Sequence, residues 1–192
     1  EFVDRQDIER LLPADAVHQG MALLVAPLDY EAIETICAEA TDPSIVIVLD
    51  QVTDPRNIGA IMRSATAFGA TAIVVPDKHT PEATPALAKA ASGALDRLPM
   101  VRVTNLTRAL GQLKEAGFWT IGLDANAEQT LAQANLSGKL AVIMGAEGKG
   151  LRRLTSENCD YLVNIPIDPT ADSLNVSAAA AITLYEIVRN RA

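Results

Sequence analysis

The run Ile45-Val-Ile-Val-Leu49 contains no polar residue. A strand with one face in water alternates apolar and polar positions, so an unbroken run of this kind reads as a strand covered on both faces, as in a parallel sheet. Parallel neighbours need a crossover connection, usually a helix, and the following residues supply one. Asn57 to Phe68 repeats apolar residues at helical spacing and ends at Gly69, a suitable C-cap, before a second strand over Ala72–Val75 closed by Pro76. The alternation continues with a helix over Pro85–Ala91, a strand over Met100–Val103, a helix over Leu106–Ala116 ended by Gly117 and a strand over Phe118–Leu123. Leu140–Met144 reads as a strand, Leu151–Asn158 as a helix, Tyr161–Ile165 as a strand and Leu174–Arg189 as a closing helix. Such alternation predicts an α/β fold: a mostly parallel sheet flanked by helices.

Ahead of Ser44 the pattern differs. Residues 4–12 and 29–40 read as helices, with an apolar strand or extended linker over Met21–Pro27 between them. Charge divides the chain at the same place. Its net charge is −8, and the first 44 residues, with ten acidic and two basic side chains, hold all of it; the remaining 148 carry 14 of each sign. The organisation expected is an acidic leader over residues 1–43 and one α/β domain over residues 44–192. A nucleic-acid binder usually presents a basic face, so bulk charge gives no positive argument for such a partner, and the division weakens the objection.

The hydrophobic fraction of 49% suffices for a core without disulfides or metals. The two cysteines, Cys37 and Cys159, and the two histidines, His18 and His79, show no metal-ligand spacing, so no metal is expected and the thiols read as reduced. The most apolar stretch, Val176–Val188, is interrupted by Ser177, Thr183, Tyr185 and Glu186 and is shorter than the roughly 20 residues a bilayer requires. No signal peptide is visible, and a cytoplasmic protein with no membrane partner is expected. The opening pair Glu1-Phe2 matches what a restriction-site junction encodes, so the sequence reads as a piece of a longer protein.

Ligands of open α/β sheets bind beyond the carboxyl ends of strands, and three such ends carry unusual polar sequences. The first is Asp50-Gln-Val-Thr-Asp54-Pro-Arg56-Asn57-Ile-Gly59-Ala-Ile-Met-Arg63. Asp54-Pro55 turns the chain, Asn57 suits a helix start, and Gly59 permits close approach of a backbone or ligand, with Arg63 one turn further on the same face. The second is Met144-Gly145-Ala146-Glu147-Gly148-Lys149-Gly150, whose glycines expose backbone groups to a ligand. Its glycine spacing is not that of a dinucleotide fold, and Lys149 lacks the following Ser or Thr of a P-loop, which weighs against a dinucleotide-dependent oxidoreductase. The third is Ile165-Pro166-Ile167, the loop to Asp172, then Ser173-Leu174-Asn175-Val176-Ser177 opening the last helix, with Ser173 an N-cap candidate and Asn175 in search of a tertiary partner.

In this order and spacing, the three elements resemble the motifs of the SpoU (TrmH) family of RNA ribose 2′-O-methyltransferases, over about residues 45 to 190. His18-Gln-Gly20 and the run Leu98 to Leu106 are further similar to the branch that methylates a guanosine ribose in bacterial large-subunit rRNA, in which an RNA-binding domain precedes the catalytic body. The resemblance implies S-adenosylmethionine as cofactor, RNA as substrate, a homodimer and a deep trefoil knot near the C-terminus. It implies Asn57, Arg63, Glu147, Ser173 and Asn175 as the catalytic constellation, and Gly145, Ile165, Leu174 and Leu123 around the cofactor. An arginine is a poor base, so Arg63 is read as holding a phosphate and stabilising the developing alkoxide, with Asn57 and Asn175 orienting it or the ribose and Glu147 ordering the site. Lys78, Lys149, Arg152 and Arg153 are candidates for phosphate contact, against a competing reading as solvated surface charge. One departure is the loop Asp168-Pro-Thr-Ala-Asp172, stiffer and more acidic than related sequences with a glycine near Pro169. The same motifs serve tRNA ribose methyltransferases, and a non-catalytic RNA-binding or ribosome-assembly module on the same fold is the alternative of another class.

Overall fold

The computed structural model describes every residue except 1, 15, 27, 79, 82 and 192, so Pro27 and His79 lie outside the described residues. Seven strands form one sheet: β1 (Ser44–Asp50), β2 (Ala72–Pro76), β3 (Met100–Val103), β4 (Trp119–Leu123), β5 (Gln129–Thr130), β6 (Lys139–Gly145) and β7 (Tyr161–Asn164). Their order is β3-β2-β1-β6-β4-β7-β5, and every pairing is parallel. β1 and β6 are in register along their whole length, from Ser44 opposite Lys139 to Asp50 opposite Gly145. Among the described residues seven α-helices lead into the sheet, cross between its strands or follow the last of them: α1 (Arg5–Leu11), α2 (Ile33–Glu39), α3 (Pro55–Ala67), α4 (Pro85–Ala91), α5 (Leu106–Glu115), α6 (Arg153–Glu157) and α7 (Val176–Arg189).

The apolar run at Ile45–Leu49 is β1, and its pleat explains its composition. Ile45, Ile47 and Leu49 face a core shared with Ile58, Ile61 and Met62 of α3 and Leu184 of α7. Val46 and Val48 face the opposite side, with Ile33 and Ile36 of α2 and Leu110 and Leu113 of α5. Helices therefore cover both faces, and no position of β1 meets water. Although α2 precedes the body in sequence, it packs on the sheet, and Glu31 just before it bridges to Val101 of the edge strand β3.

Local chemistry sets most boundaries. Asp54 caps α3, its Oδ1 accepting from the Arg56 backbone N at 2.8 Å, with Pro55 in the first turn where its missing N–H costs nothing. Gly59 faces α4: a Cβ there would lie 2.6 Å from the Leu87 carbonyl oxygen, so this glycine serves helix packing. Several boundaries differ from the sequence reading. Met21 to Ala26 belongs to no strand or helix. The helix expected over 29–40 is shortened to α2, and that over Leu151–Asn158 to α6, because the Arg152 backbone is held extended by its bond to Asp50. α7 begins at Val176, capped by Asn175 and not by Ser173. The two-residue strand β5 has no sequence signal, being too short to show a period. Cys37 and Cys159 are free, partly buried thiols, and burial pushes that of Cys159 up to about 12. Among the described residues no helix is long and apolar enough to cross a membrane.

Candidate active site

Because β1, β6, β4 and β7 are adjacent and parallel, their carboxyl ends at Asp50, Gly145, Leu123 and Asn164 form one rim. The three polar sequences leave from this rim or return to it. Gly145 is where the second of them doubles back on itself: a Cβ there would collide with the Gly150 carbonyl group and lie 2.5 Å from the Leu151 nitrogen. The loop after β6 therefore folds back over its own strand end, with Ala146 and Gly150 exchanging backbone hydrogen bonds of 3.1 and 2.9 Å. Only glycine permits that approach.

Three of the five residues proposed for catalysis meet in one cluster. Glu147 Oε1 accepts from Asn175 Nδ2 at 2.6 Å, from Asn57 Nδ2 at 3.2 Å and from the Val176 backbone N at 3.2 Å. Asn175 Nδ2 also donates to Asn57 Oδ1 at 3.0 Å. The other end of the Asn175 amide caps α7, Oδ1 accepting from Ser177 N at 2.9 Å and from Ser177 Oγ at 2.5 Å. Asn175 therefore lies outside the first turn, at the N-cap, where asparagine is favoured, and its amide is satisfied at both ends. Glu147 Oε2 makes no hydrogen bond with any described residue.

The other two stand apart from the cluster. Ser173 is exposed and lines the larger of two adjoining cavities. Arg63 is exposed on α3, lines neither cavity and bonds no described residue, because six residues of helix turn it away from Asn57. Sequence reasoning also missed two partners. Ser177 completes the Asn175 cap. Asp50, fully buried, accepts from Arg152 N at 2.9 Å and Arg152 Nε at 2.6 Å, so Arg152 is tied to the frame of the site. The signal for Asp50 was its place as the first motif's opening residue, directly after a fully apolar run.

The larger cavity, about 550 Å³, is lined by all four residues proposed for the cofactor: Leu123, Gly145, Ile165 and Leu174. Backbone groups of residues 172–174 form no hydrogen bond with described residues, so the cavity wall carries open donors and acceptors. The smaller cavity, about 410 Å³, lies beside it, and Ala146, Glu147, Lys149 and Val176 line both. An apolar slot with free backbone groups suits a purine and its edge, and Asp124 and Asp172 suit positive charges carried with it. Among the described residues no cluster of three or more His, Cys, Asp or Glu side chains is placed to hold a metal ion.

A parallel α/β sheet with a divided small-molecule cleft beyond its central strand ends defines a class of ligand-binding domains. Within it, a profile of the SpoU rRNA Methylase family matches residues 44–185, and the chain belongs to that family. It is 45% identical over 180 residues to the 23S rRNA (guanosine-2′-O-)-methyltransferase RlmB of Pseudomonas putida, covering 92% of this chain and 73% of that one. A tRNA/rRNA methyltransferase of Mycolicibacterium vanbaalenii, itself uncharacterized, is 43% identical over 98% of this chain and 61% of its own length. The SpoU methyltransferase AviRb from Streptomyces viridochromogenes, solved in complex with AdoMet, superposes with a TM-score of 0.73 at 31% identity, over 79% of this chain and 59% of that one. The chain therefore spans 59% to 73% of the length of these relatives.

Proposed function

We propose that this protein transfers a methyl group from S-adenosylmethionine to the 2′-oxygen of a ribose in RNA, in particular a guanosine of 23S rRNA. The observation that carries this reading is the Asn57–Glu147–Asn175 cluster, whose glutamate lies on the wall shared by two adjoining cavities. The relatives' names supply the substrate, and the neighbour with AdoMet bound supports the cofactor.

Leu123, Ile165, Leu174 and the backbone at Gly145 would hold the cofactor, which supplies an electrophilic methyl on a sulfonium. Glu147 Oε1 is occupied by three donors, which leaves Oε2 to accept the hydrogen bond of the 2′-hydroxyl and hold its oxygen in line. Asn57 and Asn175 fix that carboxylate. Arg63, outside both cavities, is assigned a phosphate of the RNA and not the reacting oxygen; Ser173 stays at the mouth of the larger cavity. Lys149, on both cavities, is the best placed of the phosphate-contact lysines and arginines.

The homodimer belongs to the same reading, supported by an outward stripe on α7 of Ala178, Ile182 and Tyr185, whose ring meets Phe68 edge-on. So does the C-terminal knot, supported by β6 lying between β1 and β4. The division into leader 1–43 and catalytic unit 44–192 is supported by the family match beginning at residue 44. A ribosomal RNA substrate supports a cytoplasmic location.

Labelled methyl transfer to unmodified 23S rRNA, in competition with unmodified tRNA, tests the assignment. Transfer to the rRNA is expected, and transfer confined to tRNA would move the substrate. Arg63→Ala is expected to lower turnover about a hundredfold with cofactor affinity kept, whereas Leu174→Arg abolishes cofactor binding itself. Cofactor binding with no methyl transfer to either RNA would leave the non-catalytic alternative.

A further inference from the structure

The smaller cavity has a half that nothing in the cofactor site uses. Ala146, Glu147, Lys149 and Val176 form the wall it shares with the larger cavity, while residues 51–54 and Asn57 line the smaller one alone. At about 410 Å³ it falls in the range of small-molecule sites. The methyl acceptor must lie beside the donor, so a ribose sits against the shared wall, where the glutamate is. The base attached to it then extends away from the larger cavity, towards the end of β1.

Gln51 is the notable residue there. Its φ is 61°, a left-handed conformation that disfavours any residue with a Cβ. Strained backbone of this kind persists where surrounding structure imposes it and clusters at ligand sites. Its side chain is exposed, lines the cavity and makes no hydrogen bond with any described residue. A carboxamide with both ends unpaired is a ready partner for a base edge. Val52 and Val176 add apolar surface for a ring and sugar.

We propose that the smaller cavity receives the nucleoside to be methylated and that Gln51 selects its base, the carboxamide oxygen accepting from the exocyclic amino group of guanine. The proposal rests on the ribose-methylation reading above and adds the place of the base and the side chain that reads it. Guanine carries that amino group on C2 and hypoxanthine lacks it, so inosine is guanosine without the contact.

The experiment compares two enzymes on two RNAs. Wild type and Gln51→Gly are each given a 23S rRNA fragment with guanosine or inosine at the methylated position. Glycine keeps the left-handed backbone and removes only the side chain. Inosine is expected to lower wild-type kcat/KM about tenfold, the size of one lost hydrogen bond, and to change that of Gln51→Gly by less than about twofold. Both enzymes should bind S-adenosylmethionine equally. Equal losses on inosine in the two enzymes would overturn the role of Gln51. Thr53→Trp, which fills the cavity without touching the cofactor's, is expected to lower transfer about a hundredfold with cofactor affinity unchanged; full turnover by this variant overturns the cavity assignment. Wild type that methylates no rRNA overturns the underlying activity instead, so the failures are distinguishable.

Discussion

Asp50 shows how a single side chain is committed by its surroundings. It ends a strand buried on both faces, has no access to solvent, and would be a costly isolated charge. Arg152 removes that cost by donating twice, from backbone and side chain, although its own side chain is half exposed. The pair thereby clamps the start of α6 to the end of β1 and sets the frame of the cleft. Arg152→Ala is expected to destabilise the fold by about 3 kcal/mol, since it removes the cationic partner of a buried carboxylate and leaves only the backbone donor, and urea unfolding at neutral pH measures it. A surface phosphate contact would give a change near zero. Glu147 obeys a similar logic at the opposite extreme of exposure, where three donors converge on one oxygen and leave the other for a ligand.

At the scale of elements, polar ties hold neighbouring segments in register. Asp160, just before β7, accepts from Thr120 N and Thr120 Oγ1 of β4, both at 2.8 Å, and pairs with Lys114 of α5 at 2.8 Å. Burial alone would raise its carboxyl, but the hydrogen bonds from Lys114 and Thr120 outweigh it and hold the group below its ordinary 3.8. A carboxyl depressed in the folded state contributes stability that is complete above its unfolded value and lost as pH falls through the folded one. Asp160→Asn is therefore expected to cost about 2 kcal/mol at pH 7, and the gap from wild type should close as the pH drops below 3.8. A gap that stays constant from pH 7 to the acid limit would contradict the ionic account. α2 illustrates an element whose place only packing reveals: Ile33 and Ile36 are buried against α5. Ile36→Ala should cost about 2 kcal/mol in thermal or urea unfolding, where a detached leader helix would show no change.

For the whole molecule, the strand order does the decisive work. β1 and β6 lie nearly a hundred residues apart in sequence yet pair over seven residues, which brings the first and second polar loops together. α7 then returns across the sheet to pack on α3, bringing the third. The stripe Ala178, Ile182 and Tyr185 still faces outward, with Tyr185 56% exposed at the edge of this packing, where its ring meets Phe68. Ile182→Glu with Tyr185→Glu is expected to turn a dimer into a monomer in light scattering at micromolar concentration while leaving the α3–α7 core intact. A monomeric wild type under the same conditions would remove the dimer from the functional reading.

What could be read along the chain was whatever a local pattern encodes. The apolar run at 45–49, the proline at the start of α3 and the glycines after α3 and α5 state their conformations through neighbours within a few residues, because pleat, helical turn and left-handed backbone are local properties. Three loops at strand ends, and the family resemblance carried by their order, were legible for the same reason. The meeting of Asn57, Glu147 and Asn175 followed from the strand order, as did the pairing of Asp50 with Arg152, the separation of Arg63 from the cluster and the transfer of the α7 cap from Ser173 to Asn175. Each depends on a contact between residues 28 to 118 positions apart or on the angle at which a helix leaves the sheet. Hydrogen bonds and burial at such separations are decided by the packing of the whole sheet, which no short stretch of sequence contains.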